Sequence, residues 1–105
     1  MTTSSPIGKR LKEARLTAGL SQKNLGIAAG IDEFSASARM NQYETGKHTP
    51  DYLTLQQIAK IVKVPVAYFY ADSDELARWI VVFYKFSKLE RAKYLKKYSQ
   101  LSDTK

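Results

Sequence analysis

Cysteine is absent from this 105-residue chain. Its absence excludes disulfides and thiolate zinc sites and makes a reducing cytoplasm the default expectation. Long apolar runs are missing too. The longest, Trp79-Ile80-Val81-Val82-Phe83-Tyr84, falls far short of the ~18 residues that span a bilayer, so no membrane partner is expected. Residues Met1 to Pro6 lack the basic and apolar regions of a secretory signal. The one histidine, His48, has no cysteine or second histidine to share a metal. It reads better as a loop or phosphate-contact residue. With no Ser/His/Asp arrangement, phosphate-cradling glycine loop or metal-ligand cluster, the sequence argues against an enzyme, a metal and a cofactor.

Negative charge is also scarce. Seventeen Lys/Arg stand against ten Asp/Glu, a net charge of +7 with a pI near 9.7, which favours a polyanionic partner. The excess is uneven. Residues 1–50 carry seven basic against four acidic groups, residues 51–75 two against four, and residues 76–105 eight against two. Charge alone therefore does not locate a site, and a basic tail can simply be a solvated one.

What is present is helical. Apolar positions recur at Ile7, Leu11, Ala14 and Ala18, predicting a helix over 6–18 closed by Gly19. Ser21 caps a second helix, about 22–29, with Leu25, Ala28 and Ala29 inward and Gly30 ending it. Ile31 to Phe34 read as a connector, and a third helix opens at Ser35 or Ala36 and runs to Thr45. Thr49-Pro50-Asp51 starts a fourth, about 50–62, burying Leu53, Leu55, Ile58, Ala59 and Val62. Pro65 opens a short fifth helix to Tyr70. Asp72 with Glu75 resembles a capping box for a sixth, about 73–86. Ser87 with Glu90 is a better one, for a seventh at about 88–100. No strand alternation appears, so the expected fold is all-α. Residues 1–5 and 102–105 are expected to be flexible termini.

The segment from Leu20 to Lys47 is the most specific. Gly26 lies where the second and third helices would cross, and a small residue there permits close backbone approach. Gly30 permits the turn. Met40 and Tyr43, three apart, anchor the third helix, and Gly46 stops it. Ser37, Ala38, Arg39, Asn41 and Gln42 remain on its other faces. Arg, Asn and Gln can pair bidentately with guanine or adenine edges. Two short helices at a fixed angle, the second exposing small and polar side chains, suit the DNA major groove. Tyr52, Tyr68, Phe69 and Tyr70 are expected in the core rather than stacking on bases.

The chain resembles the Cro/C1-type helix-turn-helix regulators, also called the xenobiotic-response-element type. The matching text is Ile7-Gly8-x-Arg10-Leu11-x3-Arg15-x3-Gly19-Leu20-Ser21-Gln22-x2-Leu25, then Gly30, then Tyr43-Glu44-x-Gly46-Lys47-x2-Pro50, then Leu55-x2-Ile58-Ala59. It covers roughly residues 6–70 and has several parts, which makes it far more specific than any one piece. The resemblance implies a lambda-repressor-like five-helix domain over 6–71. It implies that Gln22 binds a phosphate and braces the third helix, and that Ser37, Ala38, Arg39, Asn41 and Gln42 face the groove. Arg15 and Glu44 match a structural ion pair. Lys47 and His48 match the phosphate-contacting loop, and Lys23 joins Gln22 as a phosphate candidate.

Two features depart from the family. Fourteen positions separate Gly30 from Glu44, where about ten is usual, so about four residues are inserted. The insert is expected within the turn, at Ile31–Ser35, because Met40 and Tyr43 keep their register to Glu44. Gly26 stands where alanine is usual, which should weaken the second helix by ~1 kcal/mol.

The two C-terminal helices, 72–101, form the second expected unit. The sixth is apolar nearly all round and must be covered on more than one face. The seventh offers Leu89, Ala92, Leu95, Tyr98 and Leu101. A two-fold homodimer through Trp79, Ile80, Val82, Phe83 and Phe86 is the expected solution. The whole is expected to be a regulator, by default a repressor, binding double-stranded DNA at a near-palindromic operator. The rival readings are an antitoxin-like module whose C-terminal helices bind a protein, and a small-ligand sensor with a pocket beside the sixth helix.

Overall fold

A computed structural model describes residues 5–103, in which six α-helices and one 3-10 turn follow one another without strands. They are α1 (Ile7–Thr17), α2 (Gln22–Ala28), α3 (Glu33–Thr45), α4 (Tyr52–Val62), the 3-10 turn Val66–Tyr70, α5 (Asp74–Lys85) and α6 (Lys88–Asp103). The expected flexible stretches at 1–4 and 104–105 lie outside the described residues. Residues 102 and 103, expected to fray, belong to α6.

Side chains set most of the boundaries. Ser21 Oγ accepts from Asn24 N at 3.0 Å and fixes the start of α2. Ser87 and Glu90 form the reciprocal capping box, Oγ to Glu90 N at 3.1 Å and Oε1 to Ser87 N at 2.8 Å. Gly46, at φ 82°, ends α3 in the left-handed conformation that glycine adopts without steric cost. Lys63 takes the same role for α4 at φ 59°, a strained choice that costs a non-glycine residue about 1–2 kcal/mol.

Three starts differ from expectation. Asp51, not Thr49, caps the fourth helix, accepting from Thr54 N at 2.8 Å. The helix then begins at Tyr52, so Leu53 falls in its first turn and stays 64% exposed. Ser73, not Asp72, caps α5 through Leu76 N at 3.1 Å. Asp32 caps α3 by accepting from Phe34 N at 3.0 Å, and the helix begins at Glu33, two or three residues earlier than the start expected at Ser35 or Ala36. Glu33, Phe34 and Ser35, expected in the lengthened turn, therefore belong to α3.

One core holds these elements. Leu11, Leu25, Met40, Leu55, Ile58 and Phe69 are fully buried in it, and α5 closes its edge with Ala77. Of the four aromatics expected inside, Tyr68 and Phe69 are buried, while Tyr52 and Tyr70 face solvent. Ala28, also expected inward, is exposed, and Gly26 is buried in its place beside Leu25.

Arg10 is 3% exposed. Its Nε donates to Ala71 O at 2.9 Å, and its Nη1 donates to both Glu13 Oε1 and Asp74 Oδ1 at 2.9 Å. Burial opposes the guanidinium charge, but these two carboxylates outweigh it and raise the Arg10 pKa above its ordinary value. Tyr68 donates its hydroxyl to Glu13 at 3.1 Å, and burial with that bond pushes its pKa up to about 12. The cluster ties the start of α5 to α1.

Candidate nucleic-acid interface

α2 and α3 cross at Gly26, and the geometry leaves no choice of residue there. A Cβ on Gly26 would lie 2.8 Å from Ala36 Cβ, 3.0 Å from Ala36 O and 3.1 Å from Met40 Cγ. Ala36 lies in the first turn of α3, so that turn packs closely onto α2 where glycine supplies the room.

Ala36, Met40 and Tyr43 are the buried residues of α3. At 3.6 residues per turn the opposite side carries Phe34, Ala38, Asn41 and Thr45 as one stripe, and all four are exposed. Ser37 is exposed beside this stripe, toward α2. On the other flank lie Ser35, Arg39 and Gln42; Arg39 is exposed, the other two half-buried.

A polar chain holds the stripe in place from beneath. Arg15 Nε donates to Glu44 Oε2 at 2.6 Å and its Nη2 to Oε1 at 3.1 Å, a two-pronged pair buried on both sides. Arg15 Nη1 also donates to Leu20 O at 3.0 Å, fixing the approach to α2. Gln22 Nε2 then donates to Glu44 Oε1 at 3.1 Å and to Asn41 Oδ1 at 3.2 Å. Gln22 thus ties α2 to α3. Both its amide hydrogens are used in doing so, which leaves none for a phosphate in this arrangement. Asn41 keeps its own amide hydrogens and one acceptor lone pair, the set that pairs with adenine N7 and N6.

Exposed lysines and the histidine lie on α2 and beyond α3. Lys23 is exposed on the first turn of α2, and Lys47 and His48 are exposed beyond Gly46. His48 N donates to Gln42 O at 3.2 Å, folding that loop against the end of α3. Lys12 lines the cleft between Gln22, Asn41 and Thr45. It escapes sequence reasoning because its place beside α2 and α3 depends on how α1 is rolled, and no spacing reports that.

The C-terminal candidates separate into two sets. Trp79 is 64%, Phe83 51% and Val82 40% exposed. Ile80 instead packs half-buried against the core with Val81. Phe86 meets the Tyr94 ring at 5.1 Å between centroids. Arg91 stacks 4.3 Å over the Phe83 ring and donates to Phe83 O and Tyr84 O. Beyond that hinge α6 leaves the body, and Leu89, Leu95, Tyr98 and Leu101 are exposed. The expected second cover for α5 is therefore confined to the Arg91 and Tyr94 contacts. A groove of about 710 Å³ runs along α5 where Ala14, Val62, Val64 and Val81 line it, with Lys63 and Arg78 at its walls.

No protein-family model matches the chain. The crystal structure of transcriptional regulator BswR is similar, with a TM-score of 0.83 and 46% identity over 90% of this chain and 93% of that one. Uncharacterized HTH-type transcriptional regulators of Sinorhizobium medicae (strain WSM419) and Rhizobium meliloti (strain 1021) are each 33% identical over 67 residues. The match covers 64% of this chain and 45% of each relative, so it spans under half the length of those curated proteins.

Proposed function

The chain belongs to the helix-turn-helix transcriptional regulators, and from that premise we propose that it binds double-stranded DNA sequence-specifically through α3, in the Cro/C1 manner, as a homodimer on a near-palindromic operator. The observation that carries this reading is the exposed stripe of α3 whose Asn41 is held in register by Gln22 and the buried Arg15–Glu44 pair. A probe that must read base edges benefits from being pre-positioned, because less freedom is lost on binding.

The roles divide by position. Ser37, Ala38 and Asn41 meet base edges, with Arg39 and Gln42 reaching in from the flank, Arg39 toward a guanine. Lys12, Lys23, Lys47 and His48 meet phosphates and supply affinity that falls with salt. Repression by occluding polymerase in the cytoplasm is the default mode of action. Trp79, Val82 and Phe83 of α5 form the two-fold contact, which sets the two copies of α3 ~34 Å apart on one DNA face.

Selection of bound sequences from a random duplex pool at stated salt tests this reading. The expected result is an enriched site with two related halves about one helical turn apart. Recovery of unenriched sequence contradicts it.

A second reading is favoured by the exposed leucines of α6: an antitoxin-like module whose C-terminal helices bind another protein. Its mark is a heteromeric complex that survives Arg39→Ala and Asn41→Ala.

A further inference from the structure

We propose that Phe34 reads the C5-methyl group of a thymine in the major groove and so sets the sequence preference at one T·A pair of each half-site. The proposal rests on the reading of α3 as the DNA-reading helix and adds a contact made by the inserted turn.

Phe34 is 93% exposed, the most exposed large apolar side chain among the described residues. Its backbone is nevertheless held. Its own N–H is held by the Asp32 carboxylate at 3.0 Å, and Ser35 N donates to Asp32 O at 3.0 Å. Two residues on, Ala36 is fully buried against Gly26, where no Cβ could be accommodated. The Phe34 backbone thus belongs to the first turn of α3 rather than to a loose loop.

That place continues the reading surface. Phe34, Ala38 and Asn41 follow the i, i+4, i+7 spacing of one helix face, so the ring projects from the same side as Asn41, about 6 Å nearer the N-terminus than Ala38. Recognition helices meet base edges with their N-terminal residues. The insert therefore moves an aromatic ring to the leading end of the probe.

The chemistry selects the target. Phenylalanine has no hydrogen-bonding group for a base edge, and the one apolar feature of the major groove is the thymine methyl.

The test uses the full chain and the duplex it selects from a random pool. Each thymine of that duplex is replaced in turn by uracil, which removes only the methyl group. Wild type should lose about fourfold in affinity at one thymine per half-site, the worth of one buried methyl group. Phe34→Ala, which alters both protomers, should bind the parent duplex as weakly as wild type binds the duplex with both of those thymines replaced, about sixteenfold below the parent, and should be indifferent to either replacement. Phe34→Leu, which keeps an apolar contact, should retain part of the discrimination. Full affinity and an unchanged selected site for Phe34→Ala overturn the proposal and leave the DNA reading intact. The same holds if the variant instead loses only a protein partner. Absence of any enriched duplex for wild type overturns both.

Discussion

The body from α1 to the 3-10 turn and the pair α5–α6 treat apolar side chains differently. In the body the exposed ones, such as Leu16, Ile27 and Leu53, sit on three different helices, as single apolar side chains do on most protein surfaces. On α5 they form a second stripe: Trp79, Val82 and Phe83 lie opposite Ala77, Ile80 and Val81, which already face the core. α6 adds Leu89, Leu95 and Leu101 without a fold to cover them. The body buries its apolar side chains around a braced α3, whereas the C-terminal pair leaves an apolar face without a cover.

Breaking the body should cost most. Glu44→Ala leaves the Arg15 guanidinium buried without its partner and removes the acceptor that orients Gln22. A loss of about 3–5 kcal/mol in urea unfolding is expected, as for other broken buried pairs. An exposed pair would cost under about 1 kcal/mol, and that result would place the comparison in doubt.

Breaking the C-terminal pair should spare the fold and cost assembly. Phe83→Asp should sediment as a monomer with an unfolding midpoint close to wild type, and bind the selected duplex about a hundredfold more weakly through lost bivalency. A dimer unaffected by this change contradicts the placement of the interface.

The crossing at Gly26 offers a finer test. Gly26→Ala should gain helix propensity of ~1 kcal/mol yet destabilise overall, because overpacking costs about 1–3 kcal/mol. Ala36→Gly in the same chain should remove the clash, so the two changes should couple rather than add.

The smallest effect is expected at the seam between the two regions. Lys9 and then Arg10 hold the Asp74 carboxylate below its ordinary pKa. The folded state thus favours the deprotonated form. Its contribution is complete above the ordinary carboxylate value and is lost as pH falls through the lower folded one. Thermal unfolding of Asp74→Asn should depend less on pH below about 4 than wild type does.

Much of this was legible in the sequence, and the exceptions have physical causes. Ser21, Gly46 and the Ser87–Glu90 box mark helix ends because their signals are local. Arg15 with Glu44 came from the family resemblance, and Gly26 from the need for a small residue where two short helices cross. The site of the insert was not legible, since Asp32 and Ser35 are equally good caps and register counted back from Glu44 cannot choose between them. The choice is made by Ala36 against Gly26, a tertiary contact. Arg10 was legible only as a motif letter. Its carboxylate partner Asp74 and carbonyl partner Ala71 lie more than sixty residues away, and no periodicity announces them.

Backbone amide shift mapping by NMR, with the selected duplex titrated in, tests directly whether α3 reads DNA while α5 and α6 do not. Shifts concentrated at Gln22, Lys23, Phe34 to Gln42 and Lys47, with α6 little changed, are the expected result. Perturbations confined to α5 and α6, with the α3 stripe silent, would contradict it.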